Sequence, residues 1–179
     1  KGIYIFFDGT RYEGEYENGL YHGFGKIIAS DGASFIGIFD RGYQIDGTYI
    51  YSNGDKYEGQ LKNLMKHGYG TFTLTDGTIV EGEFVNNMPN GYCIATESSG
   101  VIYEGECRVS GGSLYNGHGK KSLPDGSYYE GGFKDGQFHG KGTALSSDGT
   151  QYEGYFVNGQ PTGELIVTLP NGDKIIENY

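Results

Sequence analysis

The chain has 179 residues and a formal net charge of -10 at pH 7, with 34 glycines and 17 tyrosines. This length suits one domain, and the acidic charge excludes nucleic acid as an expected partner because phosphate binding requires a basic face. The charge also argues against simple attraction to anionic lipid, and no run of about 18 apolar residues predicts a membrane span.

Residues 3–9 predict the second strand and the turn of a repeat whose first half lies before the sequence. The first full repeat follows. Ring, glycine and ring alternate at Tyr12, Gly14 and Tyr16, which predicts a strand that carries two aromatic side chains on one face. The glutamates between them are expected on the other face.

A hairpin turn is predicted at Asn18-Gly19, since both residues tolerate a positive φ. The returning strand then brings Gly23 and Gly25. We expect these two glycines to leave room for a neighbouring ring that lies flat against the sheet.

The connection to the next repeat is predicted to be a three-residue loop at residues 30–32. A two-residue turn would place rings on alternate faces from one copy to the next, whereas three residues set Gly25 opposite Gly37 and keep one face. The loop therefore requires Gly32 in the left-handed conformation, with a bulge.

Edited copies of this unit occupy most of the chain. The positions equivalent to Tyr12 are separated by 22, 23 or 26 residues, and a fixed period of this size indicates a repeat architecture. These positions are Phe35, Tyr57, Val80, Tyr103, Tyr129 and Tyr152. We expect a partial repeat over residues 1–9, another from residue 175, and a longer loop around residues 110–113.

The second copy differs on its outer face. Its glutamates are replaced by Ile36 and Ile38, which predicts a more apolar surface there and a contact patch. The glutamates of the other copies are interpreted as a solvated face, with a docking strip for a basic partner as the alternative.

The pattern Tyr-x-Gly, turn, Gly-x-Gly, Asp-Gly, repeated about every 23 residues, resembles the MORN (membrane occupation and recognition nexus) repeat family. The resemblance extends from about residue 3 to about residue 176. The predicted fold is all-β: an elongated, single-layer, twisted antiparallel meander of stacked β-hairpins. We expect residues 1–179 to form a single array that belongs to a longer protein.

The predicted function is a non-catalytic scaffold that binds a helix or extended segment of a partner protein in an aromatic groove. The expected groove residues are Tyr12, Tyr16, Phe35, Phe39, Tyr57, Phe84, Tyr103, Tyr129, Phe133, Tyr152 and Phe156. The family resemblance implies a cytoskeletal, motor or membrane-associated partner and a cytoplasmic location. Open strand edges also make a homodimer an expectation.

Two alternatives to the scaffold stay open at this point. One is a module that binds phosphoinositides at a membrane surface, which would need a local basic patch from Lys62, Lys66, Lys120 and Lys121. The other is a regulatory array attached to a catalytic domain outside this chain.

Catalysis, cofactors and an intrachain metal are not expected. The Gly-x-Gly motifs never precede a helix, so they do not predict a phosphate site. His22, His67 and His139 occupy the same place in different copies, roughly 19 Å or more apart, which is too far to share an ion within one chain. A metal between chains stays open.

The two cysteines are predicted to be reduced thiols. Cys93 replaces the second glycine of its copy and Cys107 replaces the second ring of the next. The expected register makes them diagonal neighbours, roughly 7–8 Å apart. This separation is at or beyond the usual limit for a disulfide.

Overall fold

Every regular element of the described residues, 1–110 and 113–179 of this computed structural model, is a β-strand. The chain divides into two compact units, residues 1–88 and 89–179. The strands of the first unit are β1 (Gly2–Ile5), β2 (Arg11–Glu17), β3 (Leu20–Ile28), β4 (Ser34–Asp40), β5 (Tyr43–Ile50), β6 (Lys56–Lys62), β7 (Met65–Thr73) and β8 (Ile79–Val85).

The second unit begins within β9 and repeats the same organisation. Its strands are β9 (Met88–Thr96), β10 (Ile102–Ser110), β11 (Ser113–Ser122), β12 (Tyr128–Lys134), β13 (Gln137–Leu145), β14 (Gln151–Val157), β15 (Gln160–Thr168) and β16 (Lys174–Asn178). In each unit every strand pairs antiparallel with the next strand along the chain. The predicted all-β meander of successive hairpins is confirmed.

The turn inside the first hairpin has the predicted two-residue form. Asn18 and Gly19 have φ angles of 49° and 79°, and the flanking residues Glu17 and Leu20 are paired. Two consecutive positive φ values are typical of a type I′ turn, whose twist matches that of the strands.

The connection between the first two repeats is the predicted three-residue loop. The Ala29 N–H donates to the Ala33 carbonyl at 2.8 Å across residues 30–32, and Gly32 has a φ of +90°. Gly25 lies opposite Gly37 as expected. Rings therefore stay on one face from copy to copy.

The aspartate of this loop has a local structural role. Asp31 accepts a hydrogen bond from the Ala33 N–H at 3.0 Å, and Asp76 accepts one from the Thr78 N–H at 2.8 Å. Such side-chain acceptors hold the backbone of a turn that has no strand partner. The Asp-Gly pair thus fixes the loop and the register together.

One feature of the hairpin was not predicted from the sequence. Gly14 pairs with Gly25, but the next residue of β2, Glu15, pairs with His22. Gly23 and Phe24 are therefore extra residues that form a bulge in β3, and Gly23 adopts a φ of +62°. Because two residues are inserted, the side chains of β3 remain in phase with those of β2.

The expectation of reduced cysteines is wrong for this structure. Cys93 and Cys107 form a disulfide, and their Cα atoms are 5.7 Å apart. They are diagonal neighbours as expected, since Cys93 pairs with Gly105. However, the diagonal distance lies within the range that a disulfide spans, and not beyond it.

Two other expectations remain predictions. The longer loop around residues 110–113 includes residues 111 and 112, which lie outside the described residues. The organisation of the chain as a single array within a longer protein is likewise untested. Within the described parts of the chain, the structure contains no helix that is long and apolar enough to cross a membrane.

Candidate functional site

The repeated tyrosine of each unit lies flat against its own hairpin. The Tyr12 side chain is fully buried, and a Cβ placed on Gly25 would lie 2.8 Å from its ring atom Cε2. Its hydroxyl donates a hydrogen bond to the Glu15 carbonyl at 2.8 Å. The ring thus needs glycine beneath it, and its hydroxyl satisfies a carbonyl at the bulge.

The same hydrogen bond recurs in later copies. The hydroxyl of Tyr57 donates to the Gln60 carbonyl at 3.0 Å, and that of Tyr103 donates to the Glu106 carbonyl at 2.7 Å. Burial raises the pKa of both Tyr57 and Tyr103 to about 12, so both phenols remain neutral donors at physiological pH.

Two copies lack the second glycine, and they differ in the residue that occupies the ring position. In the fourth copy Cys93 takes its place, and the ring position holds the smaller Val80. In the seventh copy Leu165 takes its place beside Tyr152, and Tyr152 is only half-buried, unlike Tyr12. Burial of the repeated ring therefore depends on the residue beneath it.

Most of the predicted groove residues are core residues. Nine of the eleven have exposed fractions of 6% or less, namely Tyr12, Phe35, Phe39, Tyr57, Phe84, Tyr103, Tyr129, Phe133 and Phe156. Tyr16 is 37% exposed, and Tyr152 is half-buried. The nine can form the floor of a binding surface, but they offer little area of their own to a partner.

A second set of rings on the same face was missed in the sequence analysis. In the first, fifth and sixth repeats these side chains come from the returning strand of the hairpin and stack on the repeated tyrosine. Tyr21 lies 3.8 Å from Tyr12 between ring centroids, and Phe138 lies 3.8 Å from Tyr129. The available signal was an aromatic residue two positions after the Asn-Gly or Asp-Gly turn.

Partly exposed rings form a shallow concave surface on the first hairpins. It is lined by Tyr4, Phe6, Tyr16, Leu20 and Tyr21 among others. The ring centroids of Tyr4 and Phe6 are 4.8 Å apart, and those of Tyr16 and Tyr21 are 5.5 Å apart. We call the side of each unit that carries the rings the ring face.

Comparison with family models explains the period and the geometry together. The MORN repeat model matches residues 12–34, 47–56, 57–79, 81–100, 112–128, 129–151 and 152–174, which is well over half of the chain. The chain belongs to the MORN repeat family. Four of these matches begin where the sequence analysis places a repeat, at residues 12, 57, 129 and 152.

Solved structures resemble this chain at low sequence identity. The TCP domain of Drosophila melanogaster SAS-4, in complex with a proline-rich motif of Ana2, has a TM-score of 0.56 and 18% identity, and the match covers 88% of this chain and 85% of that one. The TCP10 domain of Danio rerio CPAP has a TM-score of 0.49 and 15% identity, covering 99% of this chain and 94% of that one. Comparison with curated protein sequences found no match.

One MORN repeat has a lysine where others stack an aromatic ring. Lys66 is 8% exposed, and its ammonium lies 3.4 Å from the ring centroid of Phe72 and 5.3 Å from that of Tyr51. Burial lowers the pKa of Lys66. These contacts are cation–π interactions, which stabilise the fold from within.

The four lysines considered for lipid binding do not form one patch. Lys66 is buried, and Lys120 and Lys121 are consecutive residues of a strand, so their side chains point to opposite faces. Lys120 lies 3.9 Å from Glu130, and Lys121 lies 3.6 Å from Glu97. Each of these two charges is partly balanced within the MORN array.

The equivalent histidines His22, His67 and His139 were expected to lie too far apart to share an ion within one chain. Among residues 1–110 and 113–179, no group of three His, Cys, Asp or Glu side chains is placed to hold an ion. His22 instead lies 3.4 Å from Glu17 and 3.4 Å from Asp40, within a mixed surface.

Proposed function

We propose that this MORN array is a non-catalytic interaction module whose ring face binds an extended segment of a partner protein. The buried tyrosines form a rigid floor, and the half-exposed rings beside them provide the contact area. In its finer form, the proposal assigns the partner to the cytoskeleton or to a membrane-associated assembly.

The observation that carries this proposal is the concave aromatic surface on the first hairpins. Tyr4 is 53% exposed and Tyr16 is 37% exposed, although Tyr4 lies directly opposite the buried Tyr12 and the Tyr16 ring contacts it. Aromatic side chains lose little conformational entropy on binding and offer both a flat apolar surface and a hydroxyl group. Aromatic-lined grooves are a recurring way to bind proline-rich or other extended segments.

The fold likeness gives this proposal a specific form. The Drosophila SAS-4 TCP domain was solved with a proline-rich motif of Ana2. An extended segment that contains proline is therefore the first class of ligand to test on this chain. Such a segment is already extended before binding, which reduces the entropy lost on association.

The experiment selects proline-containing peptides from a display library against the full chain and measures the affinity of the best binders by calorimetry. Tyr4→Ala with Tyr16→Ala should weaken binding by at least about tenfold, since exposed aromatic contacts of this kind contribute on the order of 1–2 kcal/mol each. Tyr57 and Tyr129 are unsuitable because truncation of a buried ring destabilises the fold.

The matched control is Tyr155→Ala. Tyr155 is 59% exposed and pairs with Lys141 on the face opposite the rings. Its loss should leave peptide affinity unchanged. If the control weakens binding as much as the paired Tyr4 and Tyr16 substitutions, or if neither does, the ring face is not the binding surface.

A further inference from the structure

The outer face of β3 and β4, opposite the rings, carries an exposed apolar cluster. Phe24 is 53% exposed, Ile36 is 42% exposed and Ile38 is 44% exposed. Phe24 lies directly opposite Ile38 on the neighbouring strand. The predicted apolar character of this face is therefore present, and we call these three residues the outer apolar patch.

Acidic side chains lie on the same face beyond the patch. Asp46 is directly opposite Ile38, and Glu81 and Glu83 lie on β8. Within residues 1–110 and 113–179, neither Glu81 nor Glu83 forms an ion pair with a described cation. By contrast, Arg11 lies 2.7 Å from Glu13.

An exposed ring accompanies these two carboxylates. Tyr69 is 66% exposed and lies directly opposite Glu83. The flat surface of an aromatic side chain beside two carboxylates suits a lysine or arginine side chain, which gains both an ion pair and a cation–π contact. The second unit repeats this arrangement, with Tyr92 64% exposed and directly opposite Glu106.

We propose that the outer face of the first unit is a second docking surface, and that it binds a segment of a partner protein with apolar side chains at one end and Lys or Arg at the other. The apolar end covers the outer apolar patch. The basic end lies against Tyr69, Glu81 and Glu83. From β4 to β8 the distance is about 19 Å, which a helix of about 13 residues crosses.

The acidic charge of this face favours a basic segment over two other possible occupants, a second copy of the chain and an anionic membrane. A second copy of the chain would bring another net charge of -10 against the same acidic face. An anionic membrane would be repelled for the same reason. A basic segment is attracted, and the attraction raises its rate of association.

The test uses the full chain and two synthetic peptides of about 13 residues, one with leucines followed by lysines and one in the reverse order. The affinity is measured by fluorescence anisotropy at two salt concentrations. At least one peptide should bind the wild type, and I36E with I38E should weaken that binding by about tenfold or more. This change gives the second repeat the Glu-Gly-Glu sequence found at residues 13–15, 81–83 and 104–106, so the fold should be retained, as circular dichroism can verify.

The basic end is tested separately with E81Q and E83Q, which should weaken binding and reduce its salt dependence. Tyr155→Glu is the matched control, because it places a glutamate at the equivalent position of the seventh repeat and should leave affinity unchanged. Peptides with glutamate in place of lysine should not bind.

Four outcomes would overturn the proposal. In the first, neither basic peptide binds the wild type. In the second, both double variants bind the peptide as tightly as the wild type does. Alternatively, sedimentation shows a wild-type dimer that I36E with I38E dissociates, in which case a second copy covers the patch. Or vesicles with phosphatidylserine bind the chain, and the same variant abolishes that binding. The substitutions Tyr4→Ala and Tyr16→Ala separate the two proposals, because they should weaken binding at the ring face and not binding at the outer face.

Discussion

At the scale of single residues, the side chain beneath each repeated ring decides whether that ring is buried. Tyr12 lies over Gly25 and is fully buried, whereas Tyr152 lies beside Leu165 and is half-buried. A Cβ placed on Gly154 would lie 2.8 Å from a Leu165 methyl carbon, so leucine occupies the space that the ring uses elsewhere. Ring and glycine therefore act as a pair.

This pairing predicts a measurable coupling between Tyr12 and Gly25. Gly25→Ala should destabilise the chain by about 1–3 kcal/mol, because the added methyl group meets a ring that cannot move away. In a Tyr12→Val background the same substitution should cost far less, since the fourth copy already combines Val80 with Cys93. Urea unfolding of the four members of the cycle gives the coupling free energy, which we expect to exceed about 1 kcal/mol. Additive effects would show that the ring does not rest on this glycine.

Much of this packing could be predicted from the sequence, because turn chemistry is local. Asn18-Gly19 and the 30–32 loop set the register, and the register places Gly25 opposite Gly37. The flat position of the rings over glycine follows from the sequence, but the side chain that the returning strand stacks on some of them, such as Tyr21 over Tyr12, was not predicted. Candidate groove residues chosen for their regular spacing were therefore mostly core residues.

At the scale of elements, hairpins are joined by main-chain pairing and in one place by a covalent bond. The disulfide between Cys93 and Cys107 connects β9 to β10 across a sequence separation of 14 residues. Both cysteines are 1% exposed, and both occupy positions that hold a glycine or a ring in other repeats. The sequence analysis missed the bond because a typical diagonal distance was larger than the 5.7 Å found here. Such a bond persists in an oxidising environment and opens in a reducing one.

The disulfide predicts a dependence of stability on reductant. Closing a loop of this size stabilises a fold by about 3 kcal/mol in the chain-entropy account. Reduction should therefore lower the free energy of unfolding by an amount up to that value, as measured by urea unfolding with and without a phosphine reductant. The double variant Cys93→Ala with Cys107→Ala is the control, since its stability should not respond to reductant. An equal response of both proteins would exclude the bond as the cause.

At the scale of the whole molecule, each unit is built from contacts between neighbours in the sequence. In the first unit β2 pairs only with β1 and β3, and the same succession continues to β8. A repeat array of this kind behaves as a sum of intrinsic stabilities and nearest-neighbour interfaces. A substitution that destabilises one hairpin is therefore expected to destabilise its neighbours less, and more distant strands less still.

This expectation can be measured by amide hydrogen exchange in the intact chain. Gly25→Ala should speed exchange most in β2, β3 and β4, with a smaller increase at each later strand up to β8, because opening one interface leaves the next still paired. Gly142→Ala is the matched control in the second unit, where a Cβ would meet the Tyr129 ring, and its largest effect should appear in β12, β13 and β14. A uniform increase across a whole unit would instead indicate all-or-none unfolding of that unit. In that case the hairpins of a unit would not unfold independently of one another, and a partner bound to one of them would stabilise all the others equally.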